Sequence, residues 1–212
     1  MKGSKLFIHS FLVMILLVSS CGKQELTVSE FYTWHEDEGN GYHHVKRVGD
    51  LEFDIKYLPA EYLAYQELQE EGQWTEQQMD SIMQFYENNL AFLLTIGPAD
   101  DAKEMFDITK VGVLNYEEFD ERARNLNFGM KEHLTLAANG REWKAVLCEM
   151  ENVYGLSYHR TFNIVFSPAE DLNELKELKK FKFTIDDEIF NSGKNSFAFN
   201  MENLVPVPKI KA

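Results

Sequence analysis

Apolar residues recur at every second position in several stretches of this chain, and that period admits few folds. Leu51, Phe53, Ile55 and Tyr57 alternate with Glu52, Asp54 and Lys56. Arg160, Phe162, Ile164 and Phe166 share one face of a stretch over 158–166, Phe181, Phe183 and Ile185 mark another, and Phe197 and Phe199 a last one. Successive side chains of a strand point to opposite faces, so the pattern predicts half-buried strands with one core face. Asn139-Gly140 suits the positive φ angles of a tight hairpin and predicts strands over 131–137 and 143–151. A strand near 42–48 turns back at Gly49-Asp50, and the apolar run from Leu90 to Ile96 reads as a central strand.

Helical signals occupy the intervals between these strands. Pro59, tolerated in a first helical turn, opens a helix that runs to about Glu71 and ends at Gly72. Thr75 and Gln78 form a capping box ahead of Met79, Ile82, Met83 and Tyr86, a stripe that reads as core. Asn115 and Glu118 cap a third helix carrying Phe119, Ala123 and Leu126, with Gly129 at its end. Ser167-Pro168-Ala169-Glu170 starts a fourth, with Leu172, Leu175 and Leu178 as its buried stripe. Pro206 and Pro208 leave an extended tail. No repeat and no Gly/Ser- or Pro-rich linker interrupts the series. The expectation is a single α+β domain over 34–212, with a largely antiparallel sheet and about four helices.

The N-terminus predicts an address. Lys2 and Lys5 form a basic flank, Leu6 to Val18 an apolar run broken by His9 and Ser10, and Val18-Ser19-Ser20-Cys21 matches a lipobox. The run is short for a membrane span, which needs about 20 apolar residues, but fits the apolar region of a signal peptide. Residues 1–20 therefore read as a type II signal peptide, Cys21 as the lipidated residue and 21–33 as a lipidated tether. Two or three acyl chains make such an anchor stable, where one is marginal. Gly22 stands where enteric bacteria place an inner-membrane retention aspartate, which favours the outer membrane; the leaflet stays open.

Cleavage before Cys21 leaves 192 residues, enough to bury a core without cross-links. Cys148 is then the one free thiol; Val146 and Met150 share its strand face, which predicts a buried, inert group. The aromatic share of 13% is that of a packed domain. Charge is uneven: residues 21–107 hold 19 acids against 5 bases, and 108–212 hold 16 against 14. The first half would repel nucleic acid and anionic lipid and attract a basic protein partner or cations, beyond its contribution to solubility.

Candidate chemistry concentrates in one place. His35, Glu36, Asp37, Glu38, Asn40, His43 and His44 lie within ten positions, with Gly39 and Gly41 to let a loop wrap an ion. His35, Asp37, His43 and His44 are the candidate ligands, for Zn²⁺ through imidazole and carboxylate or for Ca²⁺ through oxygen. An EF-hand is excluded, because Arg47 stands where the closing Glu of a loop begun at Glu36 belongs. The chain has no HExxH, GxSxG, GxGxxG or Walker motif, and its SxxK match, Ser20–Lys23, falls across the lipobox. Asp100-Asp101 and Asp186-Asp187 are adjacent pairs, which diverge on a strand and suit turns. His133 and His159 fall on expected strands.

Four short landmarks resemble a group of uncharacterised Gram-negative envelope lipoproteins. They are the Trp34–Gly41 stretch, Tyr57-Leu58-Pro59 running into Glu61-Tyr62-Leu63, Asp187-Glu188-Ile189-Phe190 before a Phe-x-Phe strand, and Pro208-Lys209. The resemblance implies a one-domain lipoprotein and no particular activity. The reading that follows is an outer-membrane lipoprotein serving as a non-enzymatic interaction or accessory subunit. The alternative is a cation- or small-ligand-binding lipoprotein using the 35–44 loop, and an envelope hydrolase comes third.

Overall fold

The computed structural model describes residues 25–69, 74–153, 155–168 and 177–210. Cys21, the lipobox and most of the helix expected after Ser167 lie outside them.

In chain order the elements begin with β1 (Glu25–Leu26), α1 (Val28–His35), β2 (His43–Val48), β3 (Leu51–Leu58), α2 (Ala60–Gln69), α3 (Glu76–Tyr86) and β4 (Leu90–Pro98). They continue with α4 (Tyr116–Arg124), β5 (Leu134–Ala138), β6 (Arg141–Lys144), β7 (Leu147–Met150), β8 (Arg160–Phe166), β9 (Lys180–Asp187), β10 (Gly193–Asn200) and β11 (Lys209–Ile210). This is the α+β class the alternation predicts. Among the described residues, no helix is long and apolar enough to cross a membrane.

The long strands form two antiparallel sheets, one ordered β2-β3-β4-β8-β7 and the other β10-β9-β5-β6. Their inner faces supply the core: Phe53, Ile55, Phe92, Leu94, Ile96, Phe162, Ile164 and Phe166 from the first, Leu134, Leu136, Phe181, Phe183, Ile185 and Phe199 from the second, all buried. Phe92 is the hub, its ring centroid 5.1–5.9 Å from those of Tyr57, Phe166, Phe181, Phe183 and Phe199. Edge-to-face and tilted pairs at such spacing contribute about 0.5–1.5 kcal/mol each beyond burial.

The strand expected over 143–151 is two strands. Ala145 and Val146 carry the chain from the second sheet to the first, and the Val146 N–H already donates to Val165 O at 2.8 Å. Such a corner joins packed sheets. It turns Val146 outward, 62% exposed, while Cys148 lies inward opposite Ile164. Burial pushes the Cys148 thiol up to about 12, as an inert thiol requires. The strand expected over 131–137 starts later: Met130–His133 is a 3₁₀ turn leading into β5.

The expected tether is the larger correction. The first described residue, Glu25, already belongs to the fold: β1 pairs in parallel with β11, Glu25 opposite Lys209 and Leu26 opposite Ile210. The expected extended tail is thus partly a strand. Thr27 then caps α1 through a full capping box, its Oγ1 accepting from Glu30 N–H at 3.3 Å and Glu30 Oε2 accepting from Thr27 N–H at 2.8 Å. Phe31 of α1 is buried, stacked between Trp34 and Tyr62 with centroids 5.7 Å from each.

The sandwich therefore has two distinct ends. At the helical end, α1 and α2 lie over Tyr42, Tyr57 and the incoming β1–β11 pair; Tyr42 Oη–H donates to Val205 O at 3.0 Å. At the loop end are the β2–β3 hairpin, the β9–β10 hairpin and the long connection from Ala99 to Asn115 that leads into α4.

Candidate functional site

The four expected metal ligands occupy four different environments. His35 closes α1 with its side chain inward; it is 2% exposed, its Nε2–H donates to Tyr57 O at 3.0 Å, and its ring stacks on Tyr62 at 4.4 Å. Burial holds its pKa below the ordinary 6.5, so the ring is neutral at pH 7. Asp37 is spent on its own turn, accepting from Gly39 N–H at 2.8 Å to cap the 3₁₀ segment Glu38–Asn40.

His43 and His44 are adjacent on β2, so strand alternation sends them to opposite faces. His44 turns inward and meets Phe199 edge-on, centroids 4.7 Å apart. Its Nε2 is buried with no hydrogen-bond partner of good geometry, although the Ala198 backbone lies close by; burial holds its pKa below the ordinary value. His43 faces outward between two acceptors, Glu36 O at 2.8 Å from Nδ1 and Asp54 Oδ1 at 2.9 Å from Nε2. Neither acceptor can donate, so this setting favours the ring with hydrogen on both nitrogens, the imidazolium. Burial opposes that charge, but the bonds to Asp54 and the Glu36 carbonyl outweigh it and raise the pKa. Glu36 meanwhile pairs with Lys56 at 2.7 Å. Among the described residues, no group of three or more His, Cys, Asp or Glu is placed to hold a metal ion. The 35–44 segment is a packed corner in which the expected ligands each serve local structure.

An open concavity with both apolar and charged lining lies at the loop end. Arg160, on the inner face of β8, is buried where the sandwich runs out of apolar side chains. Its Nη2 lies 2.8 Å from both carboxylate oxygens of Asp107, and its Nη1 donates to Ser157 O and His159 O at 2.6 and 2.8 Å. Asp107 also accepts from Thr109 N–H at 2.9 Å and Thr109 Oγ1–H at 2.7 Å. Burial alone would raise the Asp107 pKa, but the Thr109 bonds and the Arg160 guanidinium hold it below the usual carboxylate range. This pair fixes the middle of the 99–115 connection to the first sheet.

On the opposite side, Asp187 organises the β9–β10 turn. It accepts from the Ile189, Phe190 and Ser192 N–H groups at 2.9–3.0 Å and from the Ser192 hydroxyl. The Asp187-Glu188-Ile189-Phe190 landmark is thus a turn that presents two apolar side chains. Asn115 caps α4 through Glu118 N–H at 3.0 Å, and α4 carries Arg122 back over the connection. Arg122 Nη1 donates to Ile108 O and Val111 O at 3.2 and 3.1 Å, and its guanidinium carbon stands 5.4 Å from the Phe190 ring centroid.

Between these parts is a cleft of about 690 Å³, within the usual range for ligand sites. Val48, Leu51, Phe106, Val111, Ile189 and Phe190 supply its apolar lining; Asp50, Lys103, Glu104, Arg122 and Asn191 its polar lining. A second cleft of about 510 Å³ lies beyond Phe106 and Val111, which line both, and includes Asp107, Lys110, Leu156 and Tyr158. Met105, Leu114, Tyr116, Leu156 and Tyr158 are large exposed apolar side chains from the same loops, Leu114 and Leu156 at 88% and 90%. The sequence reading missed this end. Its available signals were an arginine on the apolar face of β8 and the Asp-x-Thr of Asp107–Thr109 inside a long connection.

No protein-family model and no characterised protein sequence matches the chain. Among solved structures, it is similar to a DUF4426 family protein from Pseudomonas aeruginosa PAO1, with 11% identity over 75% of this chain and 92% of that chain. The TM-score of 0.36 is too low for that likeness to carry an argument about fold or activity.

Proposed function

We propose that this chain is an outer-membrane lipoprotein, anchored through Cys21, that works as a non-enzymatic accessory subunit and meets a protein partner with its loop end. The observation that carries the reading is polarity: Glu25, the first described residue, lies at the helical end, and the exposed apolar loops lie at the other. Four peptide links separate Cys21 from Glu25, a reach of at most about 14 Å. An acylated Cys21 would therefore hold the helical end close to the bilayer and turn the loops away from it. Large exposed apolar side chains gathered in one region are the usual mark of an interaction site. Acidic neighbours such as Asp50, Asp100, Asp101 and Glu104 favour a partner with a basic rim.

Two measurements test this. Cys21→Ala should abolish acylation and release the protein from the membrane fraction; lipid still found on the N-terminal residue of that variant would refute the anchor. Photo-crosslinking residues placed at Tyr116, Leu156 and, as a control, Phe85 of α3 should capture a partner in intact envelopes from the first two sites. Capture from position 85 alone would move the partner surface to the helical end.

A further inference from the structure

The accessory role leaves the larger cleft at the loop end without a task. We propose that it binds a small molecule with an apolar body and a single carboxylate, taken by Arg122. This goes beyond the proposed anchoring and partner surface and does not depend on either.

The argument starts from the donors of Arg122. A guanidinium has five N–H groups. The two on Nη1 are committed, one to Ile108 O and one to Val111 O. The Nε–H and the two Nη2–H groups have no hydrogen-bond or ion-pair partner among the described residues. The Nε–Nη2 edge is the one whose two parallel N–H groups match the two oxygens of a carboxylate. Arg122 is also held before any ligand arrives. Two carbonyls grip one nitrogen, Phe190 lies beneath the guanidinium, and the Asp187-centred turn fixes Phe190. A fork positioned in advance loses little freedom on binding.

The surroundings decide the class of ligand. Val48, Leu51, Phe106, Val111 and Ile189 give the cleft an apolar wall that a free inorganic anion would not use. Asp50 and Glu104 line the same cleft. Asp50 is engaged only loosely, at 3.5 Å from Arg47, and Glu104 has no ion-pair partner among the described residues. A dianion such as a phosphate monoester would meet both, whereas a monoanion presents half that repulsion. Lys103, likewise without an ion-pair partner among the described residues, can add a second cation at the rim. An apolar body of up to about ten carbons fits a space of this size.

The test uses the full lipidated chain in detergent, with 4-phenylbutanoate as probe and neutral 4-phenylbutanamide as its uncharged counterpart. Titration calorimetry, with detergent alone as the blank, should give saturable binding of one phenylbutanoate per chain and at least about tenfold weaker binding of the amide, since a site built to pair a group rejects the analogue that lacks it. Arg122→Gln should remove the preference for the acid. Arg122→Lys, which keeps charge without the fork, should recover part of it. Because substitution at Arg122 can also loosen the 99–115 connection, a second measurement uses the unsubstituted protein. Phenylbutanoate should protect Arg122 from phenylglyoxal, read by peptide mass spectrometry, and leave the rate at exposed Arg124 unchanged. Equal affinity for acid and amide would overturn the proposal, as would equal protection of Arg122 and Arg124. So would the lack of saturable binding up to about 10 mM, a range that covers even weak sites.

Discussion

At the helical end the sandwich is closed by rings. Phe31, Trp34, His35, Tyr42, Tyr57 and Tyr62 stack in a continuous series, with neighbouring centroids 4.4–6.4 Å apart. At the loop end it is closed by directional bonds: the Arg160–Asp107 pair, the Asp187 turn and the two carbonyls on Arg122. Apolar contact is non-directional and fills whatever space is present, so the ring series packs without a cleft of its own; the concavity at this end, lined by Tyr32, Leu63, Gln66, Glu67, Gln69 and Tyr86, lies outside it. Polar clamps fix loops at a few points and leave the volume between them open. The expected binding segment, 35–44, falls at the sealed end, and the open cleft falls where the chain is tied by charge.

The contrast can be broken from either side. The largest effect should come from Phe31→Ala, which removes a fully buried ring and should cost about 3–5 kcal/mol. Urea denaturation measures it, and a loss under about 1 kcal/mol would mean that α1 is a loose appendage. Next comes Arg160→Met. It strands the Asp107 carboxylate and should cost about 3 kcal/mol at pH 7. The sign of its pH dependence is fixed. The depressed Asp107 pKa contributes stability that is present above the unfolded carboxylate value of about 3.9 and is lost as pH falls through the folded one. The variant's deficit should therefore shrink in acid, and a pH-independent deficit would assign the loss to packing.

A smaller effect separates contact from charge at the same end. Gly97 lies under the His159 ring, whose Nε2–H donates to Pro98 O at 3.1 Å, and an added Cβ would overlap that ring. Gly97→Ala should cost about 1–3 kcal/mol and be relieved in the double variant with His159→Ala. Additive losses would show that the two sites are independent.

The smallest effect is a slope. His35 and His44, with lowered pKa values, contribute stability that is present above about pH 6.5 and is lost as pH falls through their folded values. His43, raised, contributes stability that is present below about pH 6.5 and is lost as pH rises through its folded value. The two windows adjoin at about pH 6.5, so stability should be greatest there, falling in acid through His35 and His44 and in base through His43. His43→Gln removes the loss on the basic side, and stability of the variant should then climb to about pH 6.5 and stay level above it. Urea midpoints at three pH values decide it, and an unchanged slope would mean that Asp54 does not hold the ring charged.

Strand faces were legible because one chemical rule governs them: every inward position named for β3, β8, β9 and β10 is buried. The capping box at Thr75 and the N-cap at Asn115 also stand where their residues indicate. Thr27-Val28-Ser29-Glu30 carries the same signature as Thr75 inside the stretch expected as a tether. The histidine cluster misled for a different reason. Proximity along the chain says nothing about direction, and a helix end followed by a strand turns His35, His43 and His44 three ways. The cleft was illegible because its lining comes from five separated segments, brought together by long-range bonds such as Asp107 to Arg160, 53 positions apart.

The pairing of β1 with β11 gives the last residues of the chain a mechanical role. With Cys21 acylated as proposed, any pull between membrane and domain enters at Glu25 and meets this short parallel ladder first. The ladder is stiffened from the side by Tyr65, whose hydroxyl accepts from Ile210 N–H at 3.0 Å, and by the buried Leu26 and Ile210 side chains. Trimming the chain before Lys209 would leave the fold's core in place and shift the attachment point from β1 to the start of α1. The leash would lengthen by two or three residues, about 7–10 Å. On the proposed anchoring, β11 would thus set the standing height of the domain above the bilayer, and with it how far the loop end reaches.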